Sequence, residues 1–473
     1  AAQHLVQKVP GQSHGLILCG RGNNAGDALV VARYLIQRGF ELTIIFISGT
    51  DRLSPDCRKN YELLQTVAED SNSGALHIFQ SWEKADLPET GNHSGFDFLI
   101  DGMLGTGLNS ELRGDYVTAV EWANELTALP VFAMDIPTGL SADSGHILGK
   151  AILATTTYTF GGQKTGLYLN SGPDQCGEIV FCELPFPNQS RPKRSDYVIS
   201  DAAFPPEKLA IPHKARHKYD AGVLYVISGS PGLTGAAAMA SLSAWSRGIG
   251  AVFLITPRGL LPFYGDRLMQ IIKRPVGEPS DDHFTAEHTE AVLEIIDEHE
   301  GTILLGPGIG RNPDTMSFVE KLLSSTDKNT LIDADALFAL SEMDLDSISS
   351  PKNWLLTPHP GELGRLTGAD VHDDFDRLNA VREFSQHHGI HLLSKGLPVM
   401  LSDPEGSVGM TRYDTAPFNR AGFGDVLAGH IAARWAMTSE PVTSAVAALF
   451  HGRDMASRFK SEPNIHLEPA DLI

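Results

Sequence analysis

Arg420-Ala421-Gly422-Phe423-Gly424-Asp425 opens a helical pattern over Asp425–Trp435. Small residues there expose several backbone amides at a helix N-terminus, where the macrodipole stabilises negative charge. An aspartate beside such an anion hole can take a proton from a hydroxyl as phosphoryl charge shifts. Simple capping is the competing role for Asp425, but the preceding glycines exceed what a cap requires. The spacing points to a phosphate handled close to a hydroxyl.

Other loops could share that chemistry. Leu305-Gly306-Pro307-Gly308-Ile309-Gly310 follows an apolar run and is glycine-dense, so backbone must come close to something. Leu331-Ile332-Asp333-Ala334-Asp335-Ala336 puts acidic residues at a strand end, where an ordinary turn is the competing role. Thr357-Pro358-His359-Pro360-Gly361-Glu362 sets His359 between two prolines, with a buried, backbone-satisfied histidine as the alternative. Lys395-Gly396 follows a further apolar run.

The first 200 residues carry a second constellation. Gly20-Arg21-Gly22-Asn23-Asn24-Ala25-Gly26-Asp27 joins a strand to a helix, and its amides suit an anion, although a capped turn would look the same. Asp101 and Asp135 each close an apolar run and are followed by Gly102-Met103-Leu104-Gly105-Thr106-Gly107 and Ile136-Pro137-Thr138-Gly139. Loops after parallel strands gather where doubly wound sheets bind ligands. Carboxylate, amide and hydroxyl oxygens also suit a hard cation.

The elements that position these residues follow from periodicity. Strands are expected at Gly15–Cys19, Leu42–Ile47, Phe96–Ile100, Val131–Met134, Val223–Ile227, Val252–Ile255, Thr302–Leu305, Thr330–Ile332, Asn353–Leu356, His391–Ser394 and Val399–Leu401. Helices are expected between them, including Asp27–Gln37, Tyr116–Leu126, Ala236–Arg247, Ser317–Leu323, Asp374–His387 and Val442–Ser457. That alternation predicts an α/β fold, three-layered and mostly parallel, in each of two domains. Pro185–Ala215 is proline-rich, with Arg191, Lys193 and Arg194, and is the expected joint; the domains run over 1–195 and 196–473.

Composition narrows the partners. A chain of 473 residues exceeds one ordinary core, and 42% hydrophobic with 20% charged residues is globular. A formal net charge of -21 argues against nucleic acid, which requires a basic face. The four cysteines form no C-x-x-C pair, which predicts a reducing cytoplasm. The stretch Gly235–Ile255 carries Arg247 and reads as buried helix plus strand, so no membrane span is expected. The start, Ala1-Ala2-Gln3-His4, resembles no signal peptide, and without a methionine it predicts a fragment lacking its natural N-terminus.

Gly-Asn-Asn-x-Gly-Asp, Asp-x-x-x-Gly-Thr-Gly-Leu, Asp-Ile-Pro-Thr-Gly-Leu and Tyr158-Thr159-Phe160 with Lys164-x-Gly166-Leu167 resemble the NAD(P)H-hydrate (NAD(P)HX) epimerases from Leu16 to about Pro185. The resemblance implies a Rossmann-like domain whose Asn23, Asn24, Ala25, Gly26, Asp27 and Gly105, Thr106, Gly107, Leu108, Asn109, Ser110, Glu111 line the hydrate site. It implies potassium at Asn24, Asp101 and Thr138, substrate contact and proton transfer at Asp135, and a basic group at Lys164. Ala25 and Ala28 replace glycine and Thr138 replaces serine. The alanines require that those positions avoid positive φ. The helical segment that precedes the first strand in the family is expected to be nearly absent.

Gly-Pro-Gly-Ile-Gly, Asp-Ala-Asp-Ala-Leu, Thr-Pro-His-Pro-Gly-Glu, Ser-Lys-Gly and Gly-x-Gly-Asp-Val-Leu-Ala-Gly resemble the ribokinase-like superfamily, and most closely its ADP-dependent NAD(P)HX dehydratases, over about Val223–Ala456. This implies substrate contacts at Ala236, Gly308, His359 and Asp425, with Asp425 as base. It implies nucleotide contacts at Lys395, Gly396, Leu397, Pro398, Val399 and Gly424, with ADP or ATP and magnesium. Phe423 and Phe338 depart from the pattern around the nucleotide. Together the halves imply a fused repair enzyme acting on NADHX or NADPHX, expected to be a homo-oligomer. A ribokinase-like kinase for a small alcohol and a nucleotide sensor are the alternatives.

Overall fold

The computed structural model describes all residues except 12, 71–75, 86–94, 188–195, 212–216, 346–347, 349–352 and 460–465. The chain divides into two compact units, Ala1–Pro192 and Lys193–Ile473. The expected boundary and Arg191, Lys193 and Arg194 fall at 188–195, outside the described residues.

In the first unit, β1 (His14–Cys19), β2 (Glu41–Phe46), β3 (Leu76–Phe79), β4 (Phe98–Gly102), β5 (Val131–Met134), β6 (Thr156–Phe160) and β7 (Glu178–Cys182) form one sheet. Its order is β3-β2-β1-β4-β5-β6-β7 and every pairing is parallel. The order reverses between β1 and β4, so a crevice opens at their carboxyl ends. There the Gly20 amide donates to the Gly102 carbonyl at 3.2 Å.

Two expectations are corrected here. Asn23–Asp27 is not a loop: the helix begins at Asn23 and runs to Ile36. Ala25 and Ala28 are thus helical and fully buried, and neither has a positive φ, which removes the conflict their substitution raised. A helix also precedes β1, at Ala2–Lys8, with Leu5 fully buried.

The second unit carries β8 (Tyr197–Val198), β9 (Val223–Ile227), β10 (Ala251–Pro257), β11 (Ile272–Val276), β12 (Thr302–Leu305), β13 (Thr330–Ile332), β14 (Trp354–Leu356), β15 (His391–Ser394), β16 (Met400–Ser402) and β17 (Val408–Met410). They form one sheet in the order β11-β10-β9-β12-β13-β14-β15-β16-β17-β8. Pairing is parallel from β11 to β15, antiparallel through β16 and β17, and parallel again at β8. β9 is buried at every position because helices cover both faces. The second reversal of strand order lies between β9 and β12.

One helix pair positions the site. The helix Phe423–Thr438 lies so close to Thr234–Trp245 that a Cβ at Gly429 would meet the Ala240 carbonyl at 2.2 Å. Ser243 Oγ donates to the Val426 carbonyl at 2.7 Å and ties the two together.

Candidate functional site

In the first unit, Asp101 is inside β4 and fully buried. Its carboxylate accepts from the Thr138 amide and hydroxyl, each at 2.7 Å, and from the Met103 amide at 3.1 Å. Burial nevertheless outweighs these bonds and raises its pKa to about 6. Thr138 Oγ also accepts from the Leu104 amide at 3.0 Å. Asn24 packs against the loop that follows Asp101, since a Cβ at Gly105 would lie 3.3 Å from the Asn24 Cβ. Both polar atoms of the Asn24 side chain are buried without a hydrogen-bond partner among the described residues. Orphaned amide oxygen beside carboxylate and hydroxyl oxygens is a fitting donor set for potassium.

Asp135 follows β5 with φ 64°, a left-handed conformation that costs a non-glycine residue about 1 kcal/mol or more. The turn is held by its amide, which donates to the Tyr158 carbonyl at 2.7 Å. Lys164 Nζ pairs with the Asp135 carboxylate and also donates to Thr159 Oγ at 3.1 Å and the Phe160 carbonyl at 3.0 Å. Lys164 is therefore mostly buried in the site and not a surface lysine. Asp27 joins them: desolvation and the Asp135 carboxylate raise its pKa to about 6 against the pull of Lys164, although its outer face is exposed. Asn23 accepts from Ser54 Oγ at 2.8 Å. Gly105 and Leu108 are half-buried, while Thr106, Gly107, Asn109, Ser110 and Glu111 are exposed and face solvent.

In the second unit, Gly422 caps the helix Phe423–Thr438 at φ 97°, and a Cβ there would meet Met239 Sδ at 2.9 Å. Only glycine turns the chain so as to leave the helix-terminal amides open. A Cβ at Gly424 would lie 3.5 Å from Lys395 Nζ. Lys395 in turn pairs with Asp333 at 2.7 Å, and Asp333 is 1% exposed. Burial alone would lower the Lys395 pKa; Asp333, Glu362 and Asp425 outweigh it and hold the ammonium charged. Asp425 is raised to about 6 by burial and by Asp333, with Lys395 opposing and Asp335 adding. Asp335 is engaged elsewhere, accepting from Arg311 Nε at 2.7 Å and the Gly310 amide at 3.1 Å.

The structure brings Ala236 and Gly308 together: a Cβ at Gly308 would meet the Ala236 Cβ at 2.9 Å. His359 is not buried. Its side chain is 58% exposed and caps the helix Pro360–Thr367, with Nδ1 accepting from the Gly361 amide at 3.0 Å and the Glu362 amide at 3.3 Å. The neighbouring Pro358 carbonyl accepts from the Lys395 amide at 2.8 Å, which joins that loop to the strand end that carries Lys395. Lys395, Gly396, Val399 and Gly424 line a single cavity of about 140 Å³. Leu397 is exposed and Pro398 buried, and neither lines that cavity. Sequence reasoning left Asp333 and Glu362 without a role, because their neighbourhood to Lys395 depends on strand order.

Family models match both units: that of the YjeF-related protein N-terminus over residues 1–166, and that of NAD(P)H-hydrate dehydratase over residues 224–473. The bifunctional NAD(P)H-hydrate repair enzyme Nnr of Salinibacter ruber is 33% identical over 460 residues, which cover 94% of this chain and 83% of that protein. This chain belongs to the bifunctional NAD(P)H-hydrate repair enzymes. The repair enzyme of Moorella thermoacetica is 30% identical over 457 residues, covering 94% of this chain and 84% of its own length. A solved Bacillus subtilis ADP/ATP-dependent NAD(P)H-hydrate dehydratase, co-crystallised with ATP/Mg2+, is 22% identical, covers 60% of this chain and 97% of its own, and has a TM-score of 0.48.

Two departures from the repair-enzyme pattern have local explanations. Phe423 is 5% exposed and packs edge-on to Phe418, with ring centroids 5.4 Å apart, in a cluster with Val426, Ala456, Leu467 and Leu472. Its ring serves as cavity wall and core. Phe338 lies between the guanidinium groups of Arg311 and Arg365, each 5.0 Å from its centroid.

Proposed function

We propose that the first unit interconverts the R and S forms of NAD(P)HX and that the second dehydrates S-NAD(P)HX to NAD(P)H with ADP or ATP. The observation that carries the dehydratase reading is the charged Lys395, held by buried Asp333 directly below Gly424, beside Asp425 at the open helix N-terminus. Lys395 and the amides around Gly424 bind the terminal phosphate and take up charge on its equatorial oxygens. Asp425 removes the proton from the ring hydroxyl, whose oxygen attacks the terminal phosphorus as the bridging P–O bond breaks and AMP (from ADP) or ADP (from ATP) leaves. The ring then expels the phosphate from carbon and loses a neighbouring proton, which restores the dihydronicotinamide. Magnesium would supply charge neutralisation on the phosphates.

In the first unit Asp135 and Lys164 hold and move the proton that epimerisation requires, and Asn24, Asp101 and Thr138 would hold potassium. Asn24→Ala is expected to abolish a potassium-dependent rise in the melting temperature of the first unit and to slow epimerisation. The readout is differential scanning fluorimetry in potassium against sodium; an undiminished potassium effect would remove Asn24 from the site.

Four free cysteines, Cys19, Cys57 and Cys176 among them buried, support a reducing compartment such as the cytoplasm. Among the described residues no helix is long and apolar enough to cross a membrane. Exposed Phe263 and Met269, at 60% and 83%, support a homo-oligomer.

The test is direct. Protein, ADP or ATP, magnesium and purified S-NADHX should restore the absorbance of NADH. Phosphorylation of a vitamin alcohol with no return of NADH would sink this reading in favour of a kinase.

A further inference from the structure

The cavity that holds Lys395, Gly396 and Gly424 continues past the anion site along one face of the helix Phe423–Thr438. Phe423, Val426, Leu427 and His430 line it from that helix, and Ala448, Leu449, His451 and Gly452 from the helix Pro441–Phe459. Its walls are therefore mostly apolar. The polar side chains among them are nearly all engaged. Lys395 holds Asp333. Thr415 Oγ donates to the Gly396 carbonyl at 3.0 Å and Tyr413 OH to the Leu449 carbonyl at 3.1 Å. Arg247 Nη1 lies 3.1 Å from His451 Nε2, which must accept, and the other ring nitrogen of His451 bonds the Leu472 carbonyl. Asn419 is exposed at the rim.

His430 differs. It is 5% exposed, yet among the described residues neither ring nitrogen has a hydrogen-bond partner; its one ring contact is His451, edge-on with centroids 5.2 Å apart. Burial, with Arg247, His451 and Arg434 nearby, lowers its pKa well below the ordinary histidine value, so the ring is neutral. A neutral imidazole carries one donor and one acceptor. On the cavity wall both remain open to a group inside the cavity. A ligand in the cavity supplies the missing partner.

The position says which part of a ligand that is. His430 is five residues beyond Asp425, so roughly 7.5 Å deeper along the helix axis. That is comparable to the reach from phosphate to base in a nucleotide whose phosphates sit at Lys395 and Gly424. The apolar walls, including Phe418 and Phe423, suit the faces of a flat heterocycle. We propose that His430 is the specificity residue for the nucleotide's base, hydrogen-bonding its polar edge from the cavity wall. The inference rests on the nucleotide reading of this cavity.

The test compares a ligand that has a base with one that lacks it. Binding of ADP and of inorganic tripolyphosphate, both with magnesium, would be measured calorimetrically on the full chain. His430→Leu should weaken ADP about tenfold, the loss of one hydrogen bond, and leave tripolyphosphate unchanged; His430→Gln should recover most of the ADP affinity. Unchanged ADP binding in His430→Leu, or equal weakening of both ligands, would overturn the assignment. Should His430→Leu not fold, the imidazole ¹⁵N resonances of His430 in the native protein decide: they should move with ADP and stay with tripolyphosphate, and the absence of an ADP shift overturns it. If the native protein bound neither ligand, the nucleotide reading itself would fall, and His430 with it.

Discussion

Asp425→Asn should lower dehydration by about 10²–10⁴-fold, the usual contribution of a positioned general base, while ADP still binds. Asparagine keeps the size and leaves Lys395, Gly424 and the helix amides in place, so the phosphate site survives. What disappears is the group that accepts the hydroxyl proton. The pH profile follows from the same carboxyl. Its pKa is raised to about 6, and only the ionised form is a base, so the rate should climb as pH rises through 6 and then level off. Stability runs the other way. The folded pKa lies above the unfolded carboxylate value near 4, so the folded state binds the proton more tightly. The charge therefore destabilises the fold above pH 6, and that penalty is relieved as pH falls towards 4. Asp425→Asn removes it, by on the order of 1–2 kcal/mol after allowing for partial exposure. The variant should thus melt higher while turning over far more slowly, a trade of stability for activity common at catalytic sites. Turnover equal to the native protein's would exclude Asp425 as the base; a lower melting temperature would show that the carboxylate is structural.

Asp333→Asn should be the most destabilising change in the site. It removes the partner of Lys395 from a position only 1% exposed. Breaking such a pair costs about 3–5 kcal/mol because the remaining charge is stranded; Lys395 keeps 23% of its side-chain exposure, which places the effect near the lower bound. A drop of that size lowers the melting temperature of the second unit by several degrees. The ammonium would also be free to swing from below Gly424, so the Michaelis constant for ADP should rise together with the loss of stability. Asp335→Asn is the control, since Asp335 is bonded to Arg311 and Gly310 and not to Lys395. If Asp333→Asn melted like the native protein and bound ADP equally well, the pair would be incidental.

The central machinery was legible in the residues themselves. Glycine before Asp425, oxygen ligands after strand ends and apolar runs alternating with helices are local signals, because they reflect backbone freedom and burial on both faces of a sheet. The interior strands β1, β9, β12 and β13 are mainly apolar and were expected within a residue of their observed bounds. The unexpected strands have weaker signals. β11 is Ile-Lys-Arg-Pro-Val at a sheet edge, β8 has two residues, and β6 reads Thr-Thr-Tyr-Thr-Phe. Such segments become strands only because a neighbour supplies hydrogen bonds, which no local pattern records.

The site itself shows the same division. Sequence determined that Asp425 sits at an open helix N-terminus and that Asn24, Asp101 and Thr138 offer oxygen. Tertiary structure alone decided that Asp333, 62 residues before Lys395, would be its counterion, because β13 and β15 flank β14 only through the order of the sheet. It also turned the supposed loop at Asn23–Asp27 into a helix start, buried Lys164 against Asp135, and left the Asn24 amide without a partner among the described residues. Charge pairing and desolvation depend on distances across the fold, and those distances exist only once the chain has packed.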